Sequence, residues 1–275
     1  MGNIRIIGPR NSGKKTYLAG LAYWSQNKGA RGGKVFEIEP LNGVTKELAT
    51  KARNLILRGT SFEPTVVTDV KALTSYSFQI RVNQRFRKPK RINLGAKDYP
   101  GEIFEQLGSG FKNRSRGQFM EDCLGKKDVE GCLILLTDWT AGKDGLYSNA
   151  FSGFLQFMDK YERFKDLRVA IAMSKCERGE LWPGRLEPEI DIFQNHLPDT
   201  PKLLRSRIEK DNLKFFALST FGVLDRNDPR PNRTELVRTG VRAVLRDTRD
   251  NRWKPYGMID PLYWLSTGKY KEFRY

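Results

Sequence analysis

The apolar positions of the chain follow two spacings, and these predict strands separated by helices. Apolar runs or every-second apolar residues predict strands over Ile4–Ile7, residues 35–40, Leu73–Val82, Arg91–Lys97, Gly131–Thr137, Arg168–Met173 and Leu213–Leu218. Apolar residues three or four positions apart predict helices from about Lys14 to Gly29, over Val44–Leu57, Gln118–Cys123 and Phe151–Phe164, and near Lys202–Lys210 and Thr234–Arg249. An apolar patch, Ile259–Leu265, closes the pattern.

The order of these elements predicts an α/β fold. Strands alternate with helices except at one hairpin, whose strands are Leu73–Val82 and Arg91–Lys97. We therefore expect a mostly parallel central sheet with one antiparallel edge strand and helices on both faces. Gly131–Thr137 is almost wholly apolar, as in a strand covered on both sides. No linker or repeat divides the sequence, so we expect one domain over residues 1–275.

Cysteine and histidine usage narrows the class of protein. The three cysteines lack metal-ligand spacing, and the chain has a single histidine, which argues against a zinc site. Reduced thiols and the absence of an apolar run long enough to cross a bilayer lead us to expect a cytoplasmic protein with no transmembrane segment.

The chain is strongly basic, with a formal net charge of +17. Such an excess attracts polyanions of every kind, so nucleic acid or an anionic membrane surface is one class of partner that the charge allows. Two local clusters contribute, and for both a solvated charged face is the alternative. They are the hairpin residues Arg81, Arg85, Arg87, Lys88, Lys90 and Arg91, and the row Arg238, Arg242, Arg246 and Arg249.

The most informative motif follows the first predicted strand. The segment Gly8-Pro9-Arg10-Asn11-Ser12-Gly13-Lys14 fits the G-x-x-x-x-G-K frame of a phosphate-binding loop. Its glycines allow a tight turn in which backbone N–H groups and the N-terminus of the next helix converge on an anion. The lysine side chain then reaches the outer phosphates as a point charge. A strand before the motif and a helix after it are the context this function requires.

One position departs from the frame. The residue after the lysine is usually Ser or Thr, whose hydroxyl binds Mg²⁺, but here it is Lys15, and the hydroxyl comes one position later, at Thr16. Either the loop shifts its register so that Thr16 serves, or the magnesium site is weakened or replaced by an ammonium group. The sequence leaves both alternatives open.

Further polar motifs stand at the carboxyl ends of later strands, where open α/β sheets bind ligands. Asp98 ends the second hairpin strand and Gly101 follows three residues on. Ser174-Lys175-Cys176-Glu177 ends the strand at Met173, and Ser219-Thr220 ends the last one. We expect these segments to meet the phosphate loop at one edge of the sheet.

Taken in this order, the motifs resemble those of Ras-like P-loop GTPases of the TRAFAC type, over about residues 3–220. The Asp-x-x-Gly motif of that family matches Asp98–Gly101, and its Asn/Thr-Lys-x-Asp motif is matched approximately by residues 174–177. The resemblance implies that Lys175 lies along the base and that Glu177 accepts hydrogen bonds from guanine. An additional strand and helix at about 30–60 and an extension at about 222–275 are similar to a divergent bacterial branch, the double-GTPase-like proteins.

The resemblance also implies roles for single residues. We expect nucleotide contacts from Gly8, Asn11, Ser12, Gly13, Lys14, Lys15, Thr16, Gly101, Ser174, Lys175, Glu177, Ser219 and Thr220. The expected metal ligands are Thr16, Asp98 and a switch threonine, Thr65, with Thr60 and Thr68 nearby. The expected catalytic groups are Lys14, Glu102 near the attacking water, and Arg10, whose alternative is a solvated loop arginine.

The resulting functional hypothesis is a GTP-binding protein with GTP/GDP and Mg²⁺ as cofactors. It would hydrolyse GTP to GDP and rearrange loops near Thr60–Asp69 and Tyr99–Gly117 to control a protein effector or a larger assembly. The alternatives are a nucleotide-binding scaffold with little hydrolysis, and a basic adaptor for nucleic acid or a membrane surface.

Overall fold

A computed structural model describes residues 3–26, 35–59, 70–84, 87–109, 114–140, 142–236, 242–249 and 253–273. The candidate switch threonine Thr65 and its alternatives Thr60 and Thr68 lie outside the described residues, as does Arg238.

The described strands are β1 (Asn3–Ile7), β2 (Phe36–Pro40), β3 (Ser75–Gln84), β4 (Arg87–Lys97), β5 (Val129–Leu136), β6 (Arg168–Met173), β7 (Leu213–Ala217), β8 (Arg233–Leu236) and β9 (Arg242–Leu245). The described α-helices are α1 (Lys14–Gln26), α2 (Gly43–Arg58), α3 (Gly101–Glu105), α4 (Arg114–Met120), α5 (Lys143–Lys160), α6 (Asp199–Arg207) and α7 (Asp260–Thr267).

Four parallel strands form the central sheet, in the order β1-β5-β6-β7. Ile6 lies opposite Leu133, Leu133 opposite Ala170, and Ile171 opposite Phe215. Side chains alternate between the two faces of a strand. Here both faces are apolar, so the sheet has a hydrophobic core on each side. The prediction of a parallel α/β sheet is confirmed.

Helices cover both faces of this sheet. On one face α1 and α7 pack in a cluster that includes Ile4, Leu133 and Leu135. On the other face α5 packs Phe151 and Phe154 in a second cluster. The polar residues that follow the strands are thereby brought to the edge where the strands end, the edge at which ligands bind in such sheets.

The antiparallel part of the fold is larger than the single edge strand that the sequence predicts. β2, β3 and β4 form a three-stranded antiparallel sheet of their own. β4 lies beside β1, where Arg5 Nη1 donates a hydrogen bond of 3.1 Å to the Gly95 carbonyl. The strand at 35–40 belongs to this sheet because its alternating residues, such as Phe36 and Ile38, face the same core as α1.

Local signals set the ends of α2. Asn42 Oδ1 accepts a hydrogen bond of 2.8 Å from the Thr45 backbone N–H, as an N-cap should. Gly59 closes the helix in the left-handed region with a φ of 64°, where a side chain would be strained. The predicted Val44–Leu57 helix is therefore confirmed with its glycine cap.

Two other predicted boundaries differ. Strand β3 ends at Gln84 and strand β4 begins at Arg87, so both strands reach into the segment Asn83–Lys90 that the sequence predicts as a loop. Helix α5 begins eight residues before Phe151, at Lys143, because the polar first turns of a helix carry no apolar signal from which to read its start.

The predicted helix over Thr234–Arg249 is wrong. The described part of that segment contains β8 and β9, which pair as antiparallel strands with Thr234 opposite Val244. The arginine spacing fits a helix, but the segment is rich in β-branched residues, which favour strands, and it contains a glycine between the two halves. The β-branched residues are Thr234, Val237, Thr239, Val241 and Val244, and the glycine is Gly240.

The C-terminal residues belong to the hydrophobic core. Helix α7 packs on β5, β6 and β1, and Trp253 makes edge contacts with Tyr23 and Trp24 of α1. Phe273 packs against Phe36 of β2. Among the described helices, none combines the length and the apolarity that crossing a bilayer requires.

Candidate functional site

The segment after β1 turns tightly and leads directly into α1. Gly8 has a φ of 150° and Gly13 a φ of 85°, and Asn11 adopts the left-handed region at 58°. A side chain at Gly8 would bring its Cβ to 2.2 Å from the Leu135 carbonyl oxygen of β5. Positions 8 and 13 therefore need glycine for its conformation or for lack of space, as the phosphate-loop prediction requires.

Lys14 folds back over the loop. Its Nζ donates hydrogen bonds to the Gly8 carbonyl at 2.8 Å and to the Pro9 carbonyl at 2.9 Å. Burial, opposed by the nearby carboxylates, lowers the pKa of Lys14 to about 8. The ammonium group is thus held at the loop, where an anion would relieve the cost of burying it.

Lys15 forms an ion pair with Asp98. The distance from Lys15 Nζ to Asp98 Oδ2 is 3.1 Å, and the Asp98 side chain is only 7% exposed. Asp98 follows β4, so the antiparallel sheet positions this carboxylate next to the first turn of α1. The lysine therefore engages the carboxylate that the resemblance assigns to a metal ion.

Gly101 packs against the loop that follows β1. A Cβ at this position would lie 2.4 Å from the Arg10 backbone nitrogen and 2.7 Å from its Cα. Arg10 Nη2 pairs with Glu102 Oε1 at 2.6 Å, and the Arg10 N–H donates to Glu105 Oε1 at 2.8 Å. Two of the three predicted catalytic side chains, Arg10 and Glu102, are thus brought together as an ion pair, while their catalytic roles stay predictions.

The segment after β6 touches the same loop from another side. Ser174 Oγ donates a hydrogen bond of 2.8 Å to the Ser12 carbonyl. Lys175 Nζ donates one of 2.7 Å to the Asn11 carbonyl, and Lys175 has a φ of 58°. Burial, assisted by the positive charges of Arg233 and Arg178, lowers the pKa of Lys175 to about 8. A non-glycine residue in this backbone region costs energy and is often found at functional sites.

Glu177 is almost completely buried, beside an arginine from the C-terminal segment. Arg233 Nη1 lies 3.4 Å from Glu177 Oε1, and Arg233 also bonds to Glu235. Glu177 Oε2 is buried and has no hydrogen-bond partner among the residues described. A buried acceptor without a partner is uncommon, so this oxygen is a candidate contact for a ligand N–H.

Ser219 and Thr220 are engaged by the C-terminal segment. The Ser219 N–H donates to the Tyr256 carbonyl at 2.8 Å, and the Ser219 hydroxyl accepts from the Gly222 N–H at 2.7 Å. The Thr220 carbonyl accepts a hydrogen bond of 2.8 Å from Trp253. These hydrogen bonds fix the backbone that follows β7. The predicted nucleotide contacts of both residues stay predictions.

The residues present fit a magnesium ion poorly. Mg²⁺ demands oxygen ligands in an octahedral arrangement, yet the Asp98 carboxylate is paired with the Lys15 ammonium. Thr16 lies half-buried on the first turn of α1, and Thr65 falls outside the described residues. Within the described ranges, no group of three or more His, Cys, Asp or Glu side chains is arranged to hold a metal ion.

The structure thus brings together three of the predicted segments: the loop at 8–14, Asp98–Gly101 and Ser174-Lys175. It adds two residues that the sequence reasoning missed, Glu105 and Arg233. Glu105 lies three positions after Glu102, on the same side of α3, which is a readable signal. Arg233 had no signal, because its position depends on how the chain after β7 folds back.

Comparisons with known proteins find similarity to solved structures but no match by sequence. No protein-family profile matches the chain, and no curated protein matches it by sequence. Among solved structures, it is similar to the signal recognition particle receptor SRb-GTP/SRX complex from Chaetomium thermophilum, with 16% identity and a TM-score of 0.41 over 81% of this chain and 92% of that one. It is also similar to sup35 complexed with GMPPNP, with 9% identity and a TM-score of 0.34 over 80% of this chain but only 37% of that one. At these scores neither likeness carries an argument about function.

Proposed function

We propose that this protein binds a guanine nucleotide at the loop after β1 and acts as a nucleotide-dependent switch. The observation that carries the proposal is the meeting of three segments on that loop. Lys14 bonds to its own loop carbonyls, Lys15 reaches Asp98, and Lys175 reaches the Asn11 carbonyl. Three lysine side chains close to one glycine-rich turn at a helix N-terminus support the proposal that an anion binds there.

The base is proposed to lie over the segment after β6. Lys175 is the same residue type as the base-reading lysine of Ras-like GTPases, and Glu177 has the same charge as their base-reading aspartate. The buried Glu177 Oε2 is an acceptor with no hydrogen-bond partner within the described chain. Guanine offers two N–H donors on its Watson–Crick edge, whereas adenine offers an acceptor at the ring nitrogen there, so a carboxylate favours guanine.

The proposed reaction is slow hydrolysis of GTP to GDP, with the two states presenting different surfaces to a protein partner. Catalysis by positioning and by charge is the expected mode for phosphoryl transfer. Lys14 would stabilise phosphate charge, Arg10 would neutralise developing charge, and Glu102 would orient water.

A second candidate function is retention of the nucleotide with little hydrolysis. The Arg10–Glu102 ion pair at 2.6 Å favours it, because two of the three predicted catalytic side chains are already paired with each other. The protein would then use bound nucleotide as a structural cofactor for assembly with another protein.

The test is to purify the protein, release any bound nucleotide by denaturation and identify it by chromatography, and then to titrate fluorescent GDP and ADP. We expect GDP to bind more tightly than ADP, and Lys14→Ala to weaken GDP binding at least tenfold because it removes a charged hydrogen-bond donor. The matched control is Lys51→Ala, on an exposed ion pair with Glu47 in α2. Equal effects of the two substitutions would overturn the proposal, and turnover of GTP separates the two candidate functions.

A further inference from the structure

Lys15 stands where a metal ligand is expected, and its contact shows what it does there. The residue lies on the first turn of α1, directly after the lysine that bonds the loop carbonyls. Its Nζ is 3.1 Å from Asp98 Oδ2, and the lysine side chain is 22% exposed. The group is therefore partly buried, paired and directed to the side of the loop where Asp98 lies.

The charges around this pair disfavour a divalent cation. An ion bound to Asp98 would have to displace the Lys15 ammonium or lie within a few ångströms of it, and the repulsion between them is strong in a partly desolvated site. Lys15 already acts on its neighbour, since its charge contributes to the lowered pKa of Lys14. Thr16 supplies a hydroxyl one position away, which on a helix points about 100° further round the axis than Lys15 does.

We infer that Lys15 is the built-in cation of this site, so that the protein binds nucleoside polyphosphate free of magnesium. The inference rests on the proposed nucleotide binding and specifies the form of the ligand. The ammonium of Lys15, held by Asp98, balances phosphate charge in the role that Mg²⁺ has in a site with Ser or Thr at this position. Asp98 becomes a positioning residue for Lys15.

The experiment measures the dissociation constant of fluorescent GDP for the full chain at constant ionic strength, once in excess EDTA and once in millimolar Mg²⁺. We expect the two values to agree within about threefold, since a screened surface effect is all that remains. A dissociation constant at least tenfold weaker in EDTA would overturn the inference while leaving nucleotide binding intact. Binding under neither condition would overturn the proposed function instead.

A substitution tests the assignment to Lys15. Lys15→Thr removes the ammonium and restores the hydroxyl, so we expect binding in EDTA to weaken about 10- to 100-fold, the effect of a lost charged hydrogen bond, and Mg²⁺ to recover much of it. Lys15→Arg keeps the charge and should keep binding independent of Mg²⁺. The control Lys51→Thr removes the same charge from an exposed site and should leave both values unchanged.

Unchanged binding of Lys15→Thr in EDTA would refute the role of Lys15. If Lys15→Thr fails to fold because Asp98 is left buried without its partner, the double variant Lys15→Thr/Asp98→Asn removes both charges and takes its place. The comparison of EDTA with Mg²⁺ on the unmodified protein decides the inference without any variant.

Discussion

Gly101 shows at the scale of one residue how the site is held together. Its backbone lies so close to Arg10 that even a methyl group would overlap the loop after β1. Gly8 is equally restricted from the side of β5, where a Cβ would meet the Leu135 carbonyl. The loop is thus packed between two backbone segments, and its shape requires glycine at both Gly8 and Gly101.

For Gly101→Ala we expect GDP binding to weaken at least tenfold, because the Cβ would lie 2.4 Å from the Arg10 nitrogen and must displace the loop. The matched control is Gly145→Ala in α5, where an added Cβ has no neighbour within 4 Å in the described structure. That change should stabilise the protein by up to about 1 kcal/mol, the helix propensity difference. Titration with fluorescent GDP and urea unfolding measure the two effects, and equal GDP affinities would contradict the packing argument.

The buried pair of Arg233 and Glu177 gives a second prediction at this scale. Arg233→Ala leaves the Glu177 carboxylate buried without its ion-pair partner, which costs about 3–5 kcal/mol of unfolding free energy. Arg230→Ala is the control, because its ion pair with Asp228 is exposed and its loss should leave the unfolding free energy nearly unchanged. Adding Glu177→Gln to Arg233→Ala should recover part of the loss. Urea unfolding measures all three, and equal losses in the two arginine variants would refute the buried pair.

At the scale of elements, the segments after β1 and β6 each carry a lysine whose pKa is lowered. Burial lowers the pKa of Lys14 and of Lys175 to about 8. An anion favours the charged form of both. Nucleotide binding should therefore raise both pKa values, and the site should take up protons at a pH near 8.

We expect an uptake of about half a proton for each lysine at pH 8, because a group at its pKa is half deprotonated. At pH 6 both are already charged, so the uptake should vanish. Isothermal titration calorimetry of GDP binding in buffers of different ionisation enthalpy measures it. A binding enthalpy that is independent of the buffer at pH 8 would contradict the prediction.

Helix α7 carries a buried carboxyl group at its start. Asp260 Oδ1 accepts a hydrogen bond of 2.6 Å from the Phe273 N–H, while Oδ2 is buried without a hydrogen-bond partner in the described chain. Burial raises the pKa of Asp260 to about 7. Between its ordinary pKa and pH 7 the folded state holds a proton that the unfolded state releases, so stability should fall as the pH rises through that window.

The substitution Asp260→Asn should remove this dependence, since the amide keeps the acceptor for Phe273 and carries no charge. We expect the variant and the unmodified protein to have similar unfolding free energies at pH 4.5. At pH 7.5 the variant should be more stable, by a few kcal/mol at most, the upper bound that the shift to about 7 allows. Urea unfolding at the two pH values tests this, and a parallel pH dependence of both proteins would refute it.

At the scale of the whole molecule, the segment after β7 is part of the core rather than an appendage. Helix α7 covers β5, and a Cβ at Gly131 would lie 2.9 Å from Leu265 Cδ2. Phe273 reaches back to Phe36, and β8 supplies Arg233 to the candidate base site. The chain after β7 therefore completes both the hydrophobic core and the candidate site.

A chain truncated after Gly222 should fail to fold cooperatively. It would lose α7 and expose the face of the sheet that carries Leu133 and Leu135, which are fully buried. Each such side chain contributes about 1.5–3 kcal/mol when buried, and net stabilities are only about 5–15 kcal/mol. Far-UV circular dichroism through a urea titration tests this. The prediction would be contradicted if the truncated chain unfolded in a sigmoidal transition whose unfolding free energy depends on urea concentration as steeply as that of the full chain.

Much of the fold could be read from the sequence because it depends on local patterns. Strands β5 and β6 are mostly apolar runs, β1 is a short strand rich in isoleucine, and α2 has a glycine cap. All four elements appear where the pattern predicts. The helix predicted at Thr234–Arg249 was wrong since four arginines at helical spacing outweighed the β-branched residues between them. Which signal dominates there depends on the partner strand, and that information is not local.

The sequence by itself determined the G-x-x-x-x-G-K frame at 8–14, most of the order of strands and helices up to β7, and the polar residues at the strand ends. These follow from residue type and spacing, because glycine conformations and apolar periodicity act over a few residues. Only the tertiary structure decided that Lys15 pairs with Asp98, that Arg10 pairs with Glu102 and that Arg233 covers Glu177. Each of these contacts joins residues from different elements, and the packing of those elements on the sheet sets which charges meet.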